Sequence, residues 1–192
     1  MTHNIRLTIN YDNRKTAGFL LFVGFIQCIL CIIIAETLYP GYSASTNYLS
    51  DLGIGPSAFI FNFSVFLLGV LVVASSYFIQ RAYNSKIYFF LGILTGICAM
   101  GVGLFPETFI IPHAIASLIT FLFGGISAIV SCKIQKAPLS YFYVLLGIMA
   151  LIASALTVTG NHLGLGIGGM ERMIAYPILL WGVSFSSFLI SH

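Results

Sequence analysis

Six apolar segments, each about 20 residues long, constrain this chain more than any other feature of its sequence. A helix needs about that length of apolar residues to cross the hydrocarbon core of a bilayer. Charged residues make up only 7% of the 192 residues, whereas a soluble domain has roughly 25%. We therefore predict an all-α polytopic membrane protein, in which a tail of residues 1–15 precedes one six-helix domain of residues 16–192. The predicted spans are 16–38, 56–80, 87–105, 112–132, 139–159 and 173–190.

The basic residues are confined almost entirely to one side of this bundle. Seven of the eight precede the first span or flank the loops after the second and fourth spans; they are Arg6, Arg14, Lys15, Arg81, Lys86, Lys133 and Lys136. Because positively charged loops remain in the cytoplasm, we predict that the tail and both termini are cytoplasmic and that the protein lies in the cell membrane. The basic residues form no patch of the kind that nucleic-acid binding requires. Nucleic acid is therefore excluded as a partner.

Acidic and imidazole groups gather on the opposite side. Four of the five acidic residues, two of the four histidines and the remaining basic residue fall there; they are Glu36, Asp51, Glu107, Glu171, His113, His162 and Arg172. Charge segregation of this kind indicates either water-facing loops or a shared site. We predict an outward-facing polar pocket.

Two spans carry a stripe of small and polar residues that points toward this pocket. The stripe of the fourth span advances in steps of four and three, as one face of an α-helix does; it consists of His113, Ser117, Thr120, Gly124, Ser127 and Ser131. Membrane helices associate through such residues, so the stripe is expected to face the bundle. A similar stripe in the fifth span ends at Asn161, and the two stripes could converge at the outer surface.

The segment GNHLGLGIGGMER, residues 160–172, places Glu171 and Arg172 directly before the sixth predicted span. One interpretation is local: a carboxylate near a helix start complements the helix dipole, and an arginine extends its charge to the interface. The other is functional, because free N–H groups, glycine backbone and Arg172 could together hold an anion such as a lipid phosphate.

The loops supply the remaining candidates. Glu107 and His113 are six residues apart, which is not the spacing of two ligands on one helix, but a carboxylate and an imidazole could perform acid–base chemistry or hold a divalent metal. In the loop of residues 39–53, polar residues at helical spacing predict a short surface helix over the mouth of the bundle. Asp51 in this loop either bonds locally or faces the pocket.

Three functions are compatible with this pattern. The first is a pocket that binds a lipid headgroup or another anion; its candidate residues are Asn47, Asp51, Glu107, His113, Asn161, His162, Glu171 and Arg172. The second is an outer-leaflet lipid hydrolase with Asp51, Glu107, His113 and His162 as catalytic candidates, of which Glu107, His113 and His162 are also candidate metal ligands. The third is a small-molecule transporter. Membrane lipids are the expected partners.

The short motifs between the spans resemble those of the DUF998 family of six-span prokaryotic integral membrane proteins. The resemblance covers about residues 16–190; it is carried by Pro40-Gly41, Ser50-Asp51-Leu52-Gly53, Phe105-Pro106 followed by His113, and Gly168-x-x-Glu171-Arg172. It implies a six-helix fold in a membrane. It supplies no established reaction, so no catalytic role is transferred to any residue.

Overall fold

The computed structural model describes residues 12–191 and contains six long α-helices in that range. The helices are α1 (Asn13–Leu38), α2 (Ala58–Tyr83), α3 (Lys86–Leu104), α4 (Ile110–Val130), α5 (Leu139–Val158) and α6 (Gly166–Ser191). Each is long and apolar enough to cross a membrane, and no strand occurs in the described range. The predicted all-α, six-helix membrane fold is confirmed.

The helices form a closed ring in chain order. Each helix packs against the next, and α6 returns to pack against α1. Since α4 also contacts α6, α5 lies on the outside of that pair. The α4 stripe faces inward as predicted: His113, Ser127 and Ser131 are buried, and the face brings Gly124 against Ile178 of α6.

The ends of this ring differ in charge. The end at which α1, α3 and α5 finish and α2, α4 and α6 begin is here called the carboxylate end, because Glu36, Asp51, Glu107 and Glu171 lie there. All described basic residues except Arg172 lie at the other end. The tail through residue 11, including Arg6, lies outside the described residues. That the carboxylate end faces outward remains a prediction from the charge pattern.

Two local predictions were wrong. The sixth helix begins at Gly166, about two turns before the predicted 173, so Glu171 and Arg172 belong to the helix and not to a loop. The segment before α2 forms no α-helix; it folds as a turn followed by two short 3-10 helices, Ser50–Gly53 and Gly55–Ser57. The turn of this segment packs against the start of α6, whereas the two 3-10 helices pack against α1 and α2.

Candidate functional site

The loop between α1 and α2 packs directly on the first turns of α6. The amide of Gly168 donates to the carbonyl of Ser45 at 3.1 Å. A Cβ on Gly168 would collide with the carbonyl oxygen of Asn47 and lie 2.7 Å from that of Ala44. Glycine at this position therefore allows the backbones of the loop and of α6 to approach closely. This packing places the loop across the carboxylate end.

Arg172 is the centre of the contacts that fasten this loop. Its guanidinium donates to the carbonyls of Ala44 at 3.0 Å and Gly168 at 3.1 Å. It also donates to the carboxylate of Glu36 at 2.6 Å and to the hydroxyl of Tyr42 at 2.6 Å, and it lies over the Tyr42 ring. Arg172 is 9% exposed. Both terminal nitrogens of the guanidinium are thus engaged inside the protein.

Tyr42 links this network to the rest of the loop. Burial raises the pKa of Tyr42 to about 12, so the phenol stays neutral and keeps its proton at physiological pH. That proton is donated to the carbonyl of Tyr48 at 2.9 Å. The hydrogen bonds from Arg172 to Tyr42 and from Tyr42 to Tyr48 therefore hold this part of the loop in position.

Three carboxylates, Asp51, Glu107 and Glu171, lie close together around this loop and are here called the carboxylate cluster. Glu171 accepts hydrogen bonds from the backbone amides of Leu49 and Ser50, the second at 3.4 Å. Glu107 lies beside the side chains of Asp51 and Ser50. One buried oxygen of Glu107, Oε2, has no hydrogen-bond partner among the described residues.

Asp51 makes local hydrogen bonds, which is one of the two roles that the sequence left open. Its Oδ2 accepts from the side-chain amide of Asn47 at 3.1 Å and from the backbone amide of Tyr48 at 2.9 Å. These bonds stabilise the loop. The same carboxylate faces Glu107, which places it in the cluster as well.

The cluster favours the protonated form of Glu107. Burial, followed by the neighbouring carboxylates Asp51 and Glu171, raises the pKa of Glu107 from 4.5 to about 7. Adjacent carboxylates behave in this way because two negative charges at short distance repel each other, so one of them retains its proton. Near neutral pH this site therefore exchanges a proton readily.

This shift predicts that stability falls as pH rises. Between about pH 4.5 and pH 7 the folded protein holds a proton on Glu107 that the unfolded chain releases, so the free energy of unfolding decreases across that window. Because Glu107 is partly exposed, solvent reduces the effect, and we expect the midpoint of thermal unfolding in detergent to fall on the order of 2–4 °C. Glu107→Gln should flatten this profile, and Glu107→Asp should retain a slope. A slope that persists unchanged in Glu107→Gln would contradict the prediction.

The hydrogen bonds of the two candidate histidines lie in different connections between helices. His113 is buried, and its Nδ1 lies 2.8 Å from the carbonyl of Phe105; because a carbonyl only accepts, Nδ1 carries the proton, and the bond joins the end of α3 to the start of α4. The carbonyl of His162 accepts from the Leu165 amide, and the side chain of Asn161 accepts from the Leu163 amide at 3.2 Å. These contacts lie within the α5–α6 loop, and none reaches the carboxylate cluster.

No metal centre follows from these positions. Within residues 12–191, no group of three His, Cys, Asp or Glu side chains is arranged to hold a metal ion. The metal ligands suggested by the sequence, Glu107, His113 and His162, are accordingly not brought together as a set.

A cavity of about 120 Å³ lies inside the ring and connects with the cluster. Most of its lining is apolar and comes from α1, α2, α3, α4 and α6, and none comes from α5. Leu49, Ser50 and Glu171 line it at the carboxylate end, while Tyr88 and Trp181 line it deeper in the bundle. Glu171 and Trp181 are separated by about 15 Å along α6. Apolar cavities of this size stay dry and accept apolar molecules.

Two hydroxyl groups interrupt the apolar lining. Thr95 and Ser127 line the cavity, and the Oγ atoms of both are buried without a hydrogen-bond partner among the described residues. By contrast, the hydroxyls at the deep end are satisfied: Ser131 accepts from Trp181 at 2.8 Å and lies 3.1 Å from the Tyr88 hydroxyl. A hydrogen-bonded network therefore joins α3, the end of α4 and α6 at this depth.

Sequence reasoning missed several residues of this arrangement. Glu36 was assigned to the correct side but not to a site, although Arg172 was the one basic residue on that side and needed an acidic partner. Tyr42 was not among the candidate residues. Trp181 carried no local signal, because its role depends on contacts with distant segments.

Comparison with known proteins identifies a family and no closer relative. The family model described as "Protein of unknown function (DUF998)" matches residues 22–187. No curated protein and no solved structure gives a significant match. The match spans every helix of the ring, in agreement with the resemblance of its loop motifs, and the chain therefore belongs to the DUF998 family of proteins of unknown function.

Proposed function

We propose that this protein binds a membrane amphiphile, with the apolar chain in the central cavity and a cationic headgroup against the carboxylate cluster. The observation that carries this proposal is that Glu171 belongs to both places: it lines the cavity and lies in the cluster. A ligand that occupied both would need an apolar part and a polar part joined end to end. That is the construction of an amphiphile.

Filling the cavity supplies the first part of the affinity. Inside a membrane, an apolar chain gains no hydrophobic free energy by leaving lipid, so association depends on packing. The atoms that line a void lack contact partners on one side, and a chain in the void restores those contacts. The apolar lining from five helices therefore favours an occupant without charge along its chain.

The expected charge of the headgroup follows from the acidic groups in the carboxylate cluster. Asp51, Glu107 and Glu171 are adjacent, while the donors of Arg172 are directed to Glu36, Tyr42 and two backbone carbonyls. A cation placed among the three carboxylates would reduce their mutual repulsion. An anionic headgroup would increase it, so the expected ligand is an amine or a quaternary ammonium amphiphile.

The single tryptophan of the chain provides a direct test, because Trp181 lines the cavity and bromine quenches indole fluorescence at short range. Alkyl chains that carry bromine should quench Trp181 saturably when joined to a trimethylammonium group, and much less when joined to a sulfate. Glu171→Gln should raise the half-saturation concentration about tenfold, since a hydrogen bond or ion pair to a charged group contributes ~1.5 kcal/mol. The substituted amide oxygen can still accept from Leu49 and Ser50.

Asp12→Asn is the matched control, because it removes a carboxylate at the opposite end of the bundle. It should leave the titration unchanged. Quenching that rises linearly with amphiphile content, equally for both headgroups, would indicate ordinary lipid contact and would refute the proposal.

Hydrolysis of the bound amphiphile is a second candidate function, favoured by the raised pKa of Glu107. A carboxyl group whose pKa is about 7, beside the second carboxyl group of Asp51, is suited to general acid–base catalysis. Incubation with a choline ester of a fatty acid distinguishes the candidates: release of fatty acid that is lost in Glu107→Gln supports catalysis, and quantitative recovery of the ester opposes it.

A further inference from the structure

We infer that an amphiphile reaches the central cavity sideways from the lipid, through a groove between α1 and α6. This inference rests on the proposed function and adds the route. The groove is lined by Ile29, Ile32, Ile33, Tyr176, Leu179 and Leu180. It lies in the half of the bundle nearer the carboxylate end.

The groove and the cavity share part of their walls. Ile32 and Leu179 line both spaces, and they are 4% and 7% exposed. On the membrane side, Ile33 and Leu180 are 53% and 58% exposed. An alkyl chain in the groove would therefore contact Ile32 and Leu179, which also line the cavity.

The packing of α1 against α6 explains why the groove occurs at this depth. Toward the basic end the helices approach closely: a Cβ on Gly18 would lie 2.8 Å from Cβ of Leu189, and a Cβ on Gly182 would collide with the ring of Phe25. At the carboxylate end, the bond from Arg172 to Glu36 joins the two helices again. Between these two regions the facing residues of α1 and α6 are the larger side chains that line the groove.

Pro177 makes this stretch of α6 easier to deform. It lies inside the helix and has no N–H to donate to the carbonyl of Met173, so one bond of the helical ladder is missing. Helices bend most readily where such a bond is absent. Leu179 and Leu180 are the second and third residues after Pro177, so a small bend at Pro177 would displace the wall between groove and cavity.

The occupant of the groove is the alkyl chain of an amphiphile in the same leaflet. The groove is apolar and opens at a depth where the surrounding solvent is lipid. A headgroup above it would lie near the level of Tyr176, toward Glu171 on the same helix and the α1–α2 loop that bears Ser50. The chain and the headgroup could then enter the cavity and the cluster together.

The test measures the rate of Trp181 quenching after protein in bilayer nanodiscs is mixed with vesicles that contain the brominated alkyl trimethylammonium. Ile33→Phe should fill the groove and slow quenching about tenfold, with the final extent unchanged. Leu179→Ala should thin the shared wall and accelerate quenching. Ile97→Phe is the matched control, because Ile97 is 52% exposed on α3 and lines neither space; it should alter neither rate nor extent.

The outcomes separate the route from the binding itself. If saturable quenching occurs at the same rate in Ile33→Phe and the unmodified protein, the lateral route is wrong while binding stands. If Ile97→Phe slows quenching as much as Ile33→Phe does, the effect is general and the route is again refuted. If the unmodified protein shows no saturable quenching, both proposals fail.

Discussion

Replacement of Arg172 by alanine is expected to destabilise the fold by about 3 kcal/mol or more, because each buried acceptor left without its donor costs about 1–3 kcal/mol. The variant leaves the Glu36 carboxylate, the Tyr42 hydroxyl and two backbone carbonyls without their donor. Since a folded domain is stable by only about 5–15 kcal/mol, Arg172→Ala should unfold at much lower temperature in mild detergent. Thermal unfolding followed by size-exclusion chromatography measures this loss.

Two further variants test the physical reason. Arg172→Lys keeps the charge but has three donors for four acceptors, so its stability should lie between those of the unmodified protein and Arg172→Ala. Arg14→Ala removes the cation of the 3.7 Å pair with Asp12 at the other end and should cost no more than about 1 kcal/mol. If the Arg172→Ala protein had normal stability but failed to bind amphiphile, the role of Arg172 would instead be to contact the ligand.

Gly168→Ala should have the second largest effect, about 3 kcal/mol. The added methyl group would collide with the carbonyl of Asn47, and backbone cannot rotate away as a flexible side chain can. The loop must therefore move off α6, which also displaces the amides of Leu49 and Ser50 from Glu171. We expect lower thermal stability together with weaker quenching of Trp181 by the cationic amphiphile.

Gly101→Ala is the appropriate comparison, because its Cβ would meet only the Cβ of Ala116, at 3.3 Å. In a helix interior alanine is favoured over glycine by up to about 1 kcal/mol, which offsets the close contact. Equal stability of the Gly168→Ala and Gly101→Ala proteins would contradict this prediction, because it would show that the α1–α2 loop can move away from α6 without lowering the free energy of unfolding.

The order and number of the helices could be obtained from the sequence because both depend on local composition. The length of each apolar run decides whether it crosses a bilayer, and the three-and-four spacing of the α4 stripe identifies an inward face without knowledge of any neighbour. Ser117, Thr120 and Ser127 of that stripe do line the cavity. Their spacing along α4 predicts which face of the helix points into the bundle, and this was enough to predict that they lie in its interior.

The start of α6 could not be obtained in this way. The glycines between residues 160 and 169 suggest a loop, since glycine disfavours a helix by about 1 kcal/mol per residue. Contact with the α1–α2 loop overrides that preference, because only glycine allows the backbone approach at Gly168. The predicted boundary failed where a tertiary contact decided the local structure.

The residues of the candidate site also differ in whether local sequence or tertiary contact decides their role. Sequence placed Asp51, Glu107, Glu171 and Arg172 on one side of the membrane, because charge distribution among loops fixes their side and level. It could not distinguish the three carboxylates that meet from His162 and Asn161, which bond within their own loop. Nor could it show that Arg172 serves the fold, because its partners Glu36, Tyr42 and Ala44 are more than a hundred residues away in the chain.

By itself, then, the sequence determined six membrane helices, the separation of basic from acidic ends and the inward face of α4. These properties arise from hydrophobic length, charge placement and helical period, which act over a few residues. Only the tertiary structure decided that Glu171 joins a carboxylate cluster to an apolar cavity. That junction depends on how a loop of α1–α2 packs across α6, where the contact of two distant backbones selects a single arrangement.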